Sequence, residues 1–510
     1  MLLTIFLIGV LLTLFLCFLA LPYAFLIPPR NFPKNIPTIP FYVSLLSLFK
    51  DVDQADLYEE YLAGPLQQYG AVKIFFGARW NILVTRPAFV AEVFKCEDSL
   101  YPKSGNQKKI PYSVLAEYTG DNIISAHGAN WRLYQSVLKP GLQREFEVEP
   151  ILKNAHTLIR LLFEEQKLSG NGSVLLPPLL QRYTLANLSE SILGVDFQTL
   201  QNPNAPLHTL QLAVKREIFK PFFLNFPFLD LLPVRSRDRA RKLVVKFADE
   251  LCATVLRGHR HQHDDPSTDR LGCRMIAARD SQILSERQFR DNMVIVFLAG
   301  HENPQLLLTS MIFLLGEHQD AQARLRQEIM SVGSSDQLDY AALQNLPYLT
   351  SVIYETLRLF PPTSQLLNRK TSQDVMLGGK IPIPAGTYLG YNAYATGRDQ
   401  GAWGANANDF MPERWGSTVE EINANYRRVN SRASFIAFHG GRRACLGQKF
   451  AMFEARLSMA TVLKDVRWWI DSAWARKMTP AGPLYPRMLR VRFERLRGAH
   501  LDEKQGFNLL

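Results

Sequence analysis

The stretch FHGGRRACLGQKFAMFEAR, residues 438–456, decides the fold of this 510-residue chain. It places one cysteine, Cys445, in a glycine-rich loop just before a helix that is predicted to run from about Leu446. The free N–H groups and the partial positive charge of a helix N-terminus both stabilise a thiolate. An isolated cysteine in such a turn would more often be a buried structural residue, so the surrounding residues must decide its role.

The residues around this cysteine favour a large anionic ligand. Gly440, Gly441 and Gly447 allow the backbone to approach a flat, bulky group, and the two arginines of RRAC provide cations for carboxylates. A cysteine-ligated haem requires a thiolate that accepts hydrogen bonds from nearby donors, beside arginines that bind anions. The loop therefore predicts a haem site with Cys445 as the ligand of the iron.

The spacing of the loop closely resembles the haem-binding loop of the cytochrome P450 family of haem-thiolate monooxygenases. The pattern FxxGxRxCxG is matched at Phe438, Gly441, Arg443, Cys445 and Gly447. The resemblance extends over essentially the whole chain. It implies the family's fold, mainly α with a small β-rich lobe, and haem b (iron protoporphyrin IX) as the cofactor, with Cys445 as the axial iron ligand.

Three charged residues elsewhere fit the same family in the same order. ETLR places Glu355 and Arg358 three residues apart, which is one face of a helix, and DFMPERW supplies Arg414. The resemblance implies that they form a buried charge network behind the haem. An acid between two arginines is reasonable there because a buried charge needs a partner.

The resemblance also implies partners for the haem propionates. Trp131, in HGANWRLYQ, is similar to a family tryptophan that bonds a propionate, but the arginine that usually follows four residues later is Gln135 here. Arg443 and Arg369, which follows the PP turn, are therefore the predicted propionate partners.

The stretch AGHENP departs from the family pattern on the oxygen-binding side of the haem. The family carries A/G-G-x-D/E-T-T/S, whose acid and threonine serve proton relay. Ala299, Gly300 and Glu302 match, whereas Asn303 and Pro304 stand at the threonine positions. Glycine is expected to let the haem and its oxygen approach the backbone. Proline has no N–H and clashes with the carbonyl four residues back, so the sequence predicts a helix break that frees the carbonyl of Gly300.

The asparagine leaves the type of reaction open. An amide both donates and accepts hydrogen bonds, so Asn303, Glu302 and water could serve the relay of an NADPH-dependent monooxygenase. The alternatives are oxidative coupling, cyclisation or desaturation without oxygen insertion, and isomerase or peroxygenase chemistry that uses a peroxide. A non-enzymatic haem sensor is disfavoured by the intact acid. His301 is expected to pack away from the haem. The variant resembles some fungal members used in secondary metabolism, which suggests a role in secondary metabolite biosynthesis.

The N-terminal segment predicts one transmembrane helix. Residues 1–29 are apolar and long enough to cross a bilayer, and the first positive charges, Arg30 and Lys34, follow the apolar run. A cleaved signal peptide would instead have a positive n-region and a shorter core. The positive-inside rule then places the remaining chain on the cytosolic side, at the endoplasmic reticulum membrane as in microsomal family members. Residues 30–42 predict a stiff proline-rich spacer, and residues 43–510 the haem-thiolate catalytic domain.

Charge and cysteine content limit the other partners. The net charge of +11 favours anionic membranes or acidic proteins, and no nucleic-acid-binding motif is recognisable. Five cysteines without regular spacing indicate neither a disulfide framework nor a zinc site. The flank NYRRVNSRASFIAFHGGRRACLGQKF is rich in basic residues and lacks acids, so it is predicted to dock an acidic flavoprotein, the NADPH–cytochrome reductase.

The remaining pattern predicts a large helical body, over about 121–360, and a smaller sheet-rich lobe built from both ends of the chain. The lobe comprises a helix at 55–69 closed by Gly70, strands at 72–76 and 82–85, a helix from 87 to about 95, and partner strands near 374–391 and 487–494.

A small-molecule substrate is expected to contact three regions. The resemblance implies the loop at 110–122, the central helix at 297–303 and the turn at 361–367. The residues there predict a mid-sized apolar or aromatic molecule with a few hydrogen-bonding groups; they are Ile110, Tyr112, Tyr118, Phe297, Thr363, Ser364, Gln365, Leu366 and Leu367. The phenylalanine-rich segment at 215–233 predicts either a loop packed on the core or one that enters a membrane or lines a substrate entrance.

Overall fold

The computed structural model describes residues 26–260, 269–332 and 339–496, together with five positions between residues 9 and 15. The predicted anchor therefore lies largely outside the described residues, and within them no helix has the length and apolarity needed to cross a membrane. The proline-rich spacer is extended and packs along the first strand of the fold. Ile36 and Ile39 are buried there, and Ile39 N–H donates to the carbonyl of Lys73.

Helices form most of the body, as predicted for 121–360. The helices that precede the central helix are α1 Leu46–Phe49, α2 Gln54–Leu57, α3 Ala63–Tyr69, α4 Pro87–Lys95, α5 Asn106–Lys109, α6 Val114–Thr119, α7 Ala129–Gln143, α8 Glu149–Leu168, α9 Leu176–Leu188, α10 Pro206–Ile218, α11 Pro221–Asn225, α12 Arg235–Arg260 and α13 Leu271–Asp280. The central helix and those after it are α14 Glu286–Glu317, α15 Gln319–Ser331, α16 Tyr340–Gln344, α17 Pro347–Leu359, α18 Ala393–Thr396, α19 Gln400–Trp403, α20 Val419–Ser431 and α21 Gln448–Asp465.

The central helix, α14, continues through Pro304, so the predicted break is wrong. It begins with a capping box, in which the Ser285 hydroxyl accepts from Gln288 N–H and the Gln288 side chain accepts from Ser285 N–H. Proline removes only its own N–H, so the carbonyl of Gly300 loses the usual hydrogen-bond donor while the helix persists. Burial of nearly every residue from Pro304 to Gly316 stabilises the helix across that position.

The strands form three sheets. They are β1 Ala71–Phe75, β2 Trp80–Val84, β3 Val174–Leu175, β4 Gln365–Lys370, β5 Val375–Leu377, β6 Ile381–Ile383, β7 Tyr388–Asn392, β8 Val466–Ile470 and β9 Arg490–Arg495. The largest sheet has the order β1-β2-β7-β4, with β2 and β7 parallel and the other pairs antiparallel. A second sheet has the order β3-β9-β8, and β5 pairs with β6.

One prediction about the lobe is wrong. The last strand, β9, was expected to join the strands near the N-terminus, but it pairs with β8 and β3 in the separate three-stranded sheet. The first lobe does combine the N-terminal strands with β4 and β7, and its own core includes Ile82, Leu389 and Ile436. Because Ile436 lies just before the cysteine loop, this lobe holds one end of that loop in place.

Candidate functional site

A cavity with about 1550 Å³ of space not filled by protein atoms, part of it open to solvent, lies between α14 and the cysteine loop. Its walls include predicted site residues from distant parts of the chain, namely Trp131, Ala299, Gly300, Asn303, Phe438, Arg443, Cys445 and Gly447. Glu302, Arg369 and Gly441 are not among the lining residues. The predicted haem loop and the predicted oxygen side therefore face one another across one space.

The cysteine loop directs its sulfur into this cavity. Cys445 is exposed towards the cavity although protein surrounds it on its other sides. Burial raises the pKa of the thiol, and the backbone N–H groups of Gly447 and Gln448 lower it by donating to the sulfur. The helix begins at Gln448, two residues later than predicted, so its first N–H groups point back at the sulfur. Gly441 has a φ of +67°, a turn that glycine adopts without strain.

Positive charge is concentrated at one edge of the cavity. Arg443 donates to the carbonyl of Ala126 at 2.7 Å, and its guanidinium lies 4.5 Å from the ring centre of Trp131. Lys103 also lines the cavity, and burial together with the charges of Arg369 and Arg443 lowers its pKa well below the ordinary lysine value. Sequence reasoning missed this lysine, because nothing in the surrounding YPKSG distinguishes it from a surface lysine.

Arg369 is not among the residues that line the cavity, and its predicted contact with a propionate stays a prediction. It is fully buried and donates to the Glu97 carboxylate at 2.6 Å and to His439 Nε2 at 2.9 Å. His439 itself lines the cavity and was also missed. Glu97 neutralises one cation of this group, which leaves Lys103 and Arg443 in need of anions.

These features fit a cysteine-ligated haem. The cations left without acids suit two propionates, and the sulfur with backbone donors suits an iron ligand. Among the described residues no cluster of histidine, cysteine and acid side chains suited to binding a free metal ion is present.

The predicted charge network is buried beside the cysteine loop. The carboxylate of Glu355 accepts from Arg358 Nη2 at 2.7 Å, from Arg358 Nε at 2.9 Å and from Arg414 Nε at 2.8 Å. Trp415 Nε1 and the backbone N–H of Met411 also donate to it, at 3.0 and 2.9 Å. Arg358 in turn donates to the backbone carbonyls of the segment that follows β7, so this network fastens that segment to α17.

On the opposite wall, α14 presents Asn303 to the cavity. Its side chain is exposed there, and Nδ2 lies 3.5 Å from the carbonyl oxygen of Ala299. Gly300 is small for a reason that the sequence does not show. A Cβ at this position would come within 2.5 Å of Cδ1 of the buried Leu188, so a larger residue would require the Leu188 side chain on α9 to shift.

Glu302 points away from the cavity. Its Oε1 lies 3.0 Å from Lys215 Nζ and 3.2 Å from Gln211 Nε2, both on α10. His301 is fully buried and, as expected, lies off the cavity wall, where its ring contacts Gln211 and the carbonyl of Phe297. Glu302 therefore directly precedes the cavity-lining Asn303 in the chain, but its carboxylate contacts α10 and not the cavity.

Only some of the residues predicted to contact a substrate line the cavity, and residues next to them in the chain line it as well. Thr363 and Leu366 line the cavity, but Phe297 packs against Phe247 in the core with ring centres 5.2 Å apart. From the loop predicted at 110–122, the residues Ile110, Tyr112 and Tyr118 do not line the cavity, whereas Ile123 and Ile124, just after it, do. The additional aliphatic lining residues include Ile123, Ile124, Ile295 and Val296.

Comparison with known proteins gives a consistent result. The family model described as Cytochrome P450 matches residues 33–487. Cytochrome P450-DIT2 of Saccharomyces cerevisiae is 46% identical over 483 residues, which cover 94% of this chain and 97% of that protein. Cytochrome P450 monooxygenase xanG of Aspergillus fumigatus is 41% identical over 474 residues, covering 91% and 87%. Cytochrome P450 72A15 of Arabidopsis thaliana is 28% identical over 407 residues, covering 76% and 74%.

Proposed function

This chain belongs to the cytochrome P450 family, and we propose on that basis that it is a haem b monooxygenase that takes electrons from an NADPH-dependent flavoprotein reductase. Its substrate is a mid-sized apolar or aromatic natural product of fungal secondary metabolism. The observation that carries the proposal is the position of Cys445, whose sulfur faces Gly300 and Asn303 across one cavity.

Each wall of the cavity has a separate task. When bound, a cysteine-ligated haem supplies the activation of dioxygen. The N–H groups of Gly447 and Gln448 stabilise negative charge on the Cys445 sulfur. Lys103 and Arg443 would bind the carboxylates of the cofactor and so orient it.

Proton supply is assigned to Asn303 and Glu302. Asn303 reaches the cavity and can hold a water molecule through either end of its amide, but an amide does not itself release a proton at neutral pH. The proton must therefore come from a neighbouring acid through water, and Glu302 is the carboxylic acid adjacent to it in the chain. In this arrangement the acid of the family pattern is retained as Glu302, and Asn303 takes the position of the threonine.

The cavity wall supports the proposal of an apolar substrate. Ile123, Ile124, Ile295 and Val296 offer branched aliphatic surface, and Asn303 and Thr363 are among the polar residues of the lining. Such a wall binds a largely apolar body and orients it through few hydrogen bonds.

A second reaction is favoured by the same substitution. With asparagine in place of threonine the wall lacks the hydroxyl of the family pattern, so a substrate radical that couples, cyclises or is desaturated is the alternative outcome. Turnover of candidate metabolites in microsomes with reductase under ¹⁸O₂ separates the two. Labelled product supports oxygen insertion, whereas dehydrogenated or dimeric product without label supports the radical route. Failure of the reduced, carbon-monoxide-treated protein to give a thiolate-type absorption shift would refute the role of Cys445.

Exposed arginines near the cysteine loop support docking of the reductase. Arg427, Arg428 and Arg432 lie on or just after α20 and are exposed. Arg442, next to the loop, is also exposed and lies 2.9 Å from Asp98. A cationic surface beside the cysteine loop would steer an acidic flavoprotein towards the haem.

Exposed apolar side chains support association with the endoplasmic reticulum membrane, in addition to the apolar N-terminal segment. They flank α11 and include Phe219, Phe222, Leu231 and Leu232, with exposures of 46–66%. Large exposed apolar groups of this kind mark a surface that contacts other molecules or lipid. Fractionation of cells expressing the full chain, with protease protection of each side, tests the membrane and the cytosolic orientation.

A further inference from the structure

A polar cluster borders α14 outside the cavity lining. Gln211, on α10, contacts both His301 and Glu302 of α14, and Lys215 follows it one turn along α10. We infer that Gln211, oriented by His301, is a positioning residue that holds the Glu302 carboxylate in one place for proton delivery. The inference rests on the proposed function, because proton delivery to the cavity is what that function requires.

The first step is the proton on His301. Its Nδ1 lies 2.5 Å from the carbonyl oxygen of Phe297, which can only accept, so Nδ1 carries the hydrogen. Burial lowers the pKa of His301 to about 4, which keeps the ring neutral at pH 7. In a neutral ring with hydrogen on Nδ1, Nε2 is an acceptor.

The second step is the orientation of the Gln211 amide. Its Nε2 lies 2.9 Å from His301 Nε2 and 3.2 Å from Glu302 Oε1, and both of those atoms are acceptors. The opposite orientation would set the amide oxygen against a ring lone pair and a carboxylate. The side chain is completely buried, and its Oε1 has no hydrogen-bond partner in the described part of the chain. In this orientation both N–H bonds of Gln211 point at His301 and Glu302, while its amide oxygen is left without a hydrogen bond from the described residues.

The third step is the effect on the carboxylate. Lys215 and Gln211 both approach Oε1 of Glu302, and no hydrogen bond from the described residues reaches Oε2. Lys215 and Glu302 are only partly buried, with side-chain exposures of 30% and 20%. Without Gln211 the carboxylate could follow the flexible lysine towards solvent. With it, one oxygen is fixed. Asn303, the next residue, is offset by about 100° around the helix and reaches the cavity, so a proton from Glu302 would pass to Asn303 through water.

The test uses Gln211→Met, which keeps the length and burial of the side chain but has no N–H donor. The full-length enzyme is mixed with NADPH and reductase without added substrate, and the fraction of NADPH electrons recovered as hydrogen peroxide is measured. Two protons and two electrons convert O₂ to peroxide, whereas four of each convert it to water, so slower proton delivery increases the peroxide fraction. We expect the ratio of peroxide to water to rise by roughly 3–10-fold, part of the about 100-fold or more that a positioned proton donor contributes.

The matched control is Gln305→Met. Like Gln211, Gln305 is a buried glutamine, but it lies on α14, donates to the carbonyl of Pro177 and makes no hydrogen bond to Glu302. The control should keep the ratio of the unmodified enzyme. An equal ratio in Gln211→Met and the unmodified enzyme would overturn the inference, and so would an equal rise in the control.

A second measurement does not depend on turnover or on a variant that folds. The ¹⁵N spectrum of the histidine-labelled holoenzyme should show His301 with hydrogen on Nδ1 from pH 6 to 8, and hydrogen on Nε2 would overturn the inference. The carbon-monoxide spectrum separates this failure from a failure of the proposed function. An unmodified protein without the thiolate-type shift refutes the function, whereas a normal shift with an unchanged peroxide ratio refutes only the role of Gln211.

Discussion

Replacement of Glu355 by glutamine tests the buried charge network most directly. The carboxylate accepts from five donors on Arg358, Arg414, Trp415 and Met411, and it is fully buried. A glutamine would keep the shape but turn one acceptor into an NH₂ group that faces donors on either side. It would also leave two arginines beside no anion. Removing one partner of a buried ion pair costs about 3–5 kcal/mol, and we expect a loss of stability in that range.

The measurement is urea unfolding followed by tryptophan fluorescence. Trp415 donates to Glu355, and the Trp403 ring centre lies 5.1 Å from the Arg358 guanidinium, so two of the seven tryptophans lie in this region and contribute to the emission change. The control is Glu413→Gln, the same change in a half-exposed pair with Arg324, for which the expected cost is below about 1 kcal/mol. If the midpoint for Glu355→Gln falls no further than that of the control, the network does not stabilise the fold as argued.

Three further predictions follow from the site and its surroundings. Asn303→Leu removes both polar ends of the amide at similar volume, so the ratio of peroxide to water should rise by about tenfold, and an unchanged ratio would exclude Asn303 from the relay. The double variant Arg427→Gln, Arg428→Gln should slow reduction of the haem iron by NADPH and reductase at low salt. The difference in rate from the unmodified enzyme should shrink at high salt, because ions screen the attraction between the two proteins. Burial raises the pKa of Glu454 from 4.5 to about 8, so the folded state retains a proton that the unfolded state releases, and stability should fall as pH rises between these values. Glu454→Gln, which can still accept from Asn187, should unfold with a flatter pH dependence in urea, by about 1.4 kcal/mol per pH unit at most.

The sequence predicted features that are encoded locally. The cysteine loop could be recognised because five of its residues, at fixed spacing, resemble the haem-binding loop of the cytochrome P450 family. Helix α4 was predicted with its observed bounds because Pro87 suits the first position of a helix. Glu355 and Arg358 were paired because a spacing of three places side chains on one helical face.

Features that depend on distant contacts could not be predicted in the same way. Arg369 binds Glu97, more than 250 residues earlier, and no local pattern indicates that partner. The small size of Gly300 reflects the position of Leu188 on another helix. The proline was expected to break α14, but a proline removes one hydrogen bond from a helix that tertiary packing holds on all sides.

The pairing of β3 with β9 has a consequence for the synthesis of the protein. Val174 and Val491 are partners across about 300 residues. At roughly 5–20 residues per second, a ribosome needs about 15–60 s to make the second strand after the first. During that time β3 has been synthesised but has no strand to pair with, while the ribosome makes the cysteine loop and α21. A chain that ends between residues 456 and 490 carries every residue of the haem loop but lacks β9 and cannot close this sheet. We therefore expect loss of the last few residues of the described fold to abolish accumulation of the enzyme as effectively as loss of its cysteine.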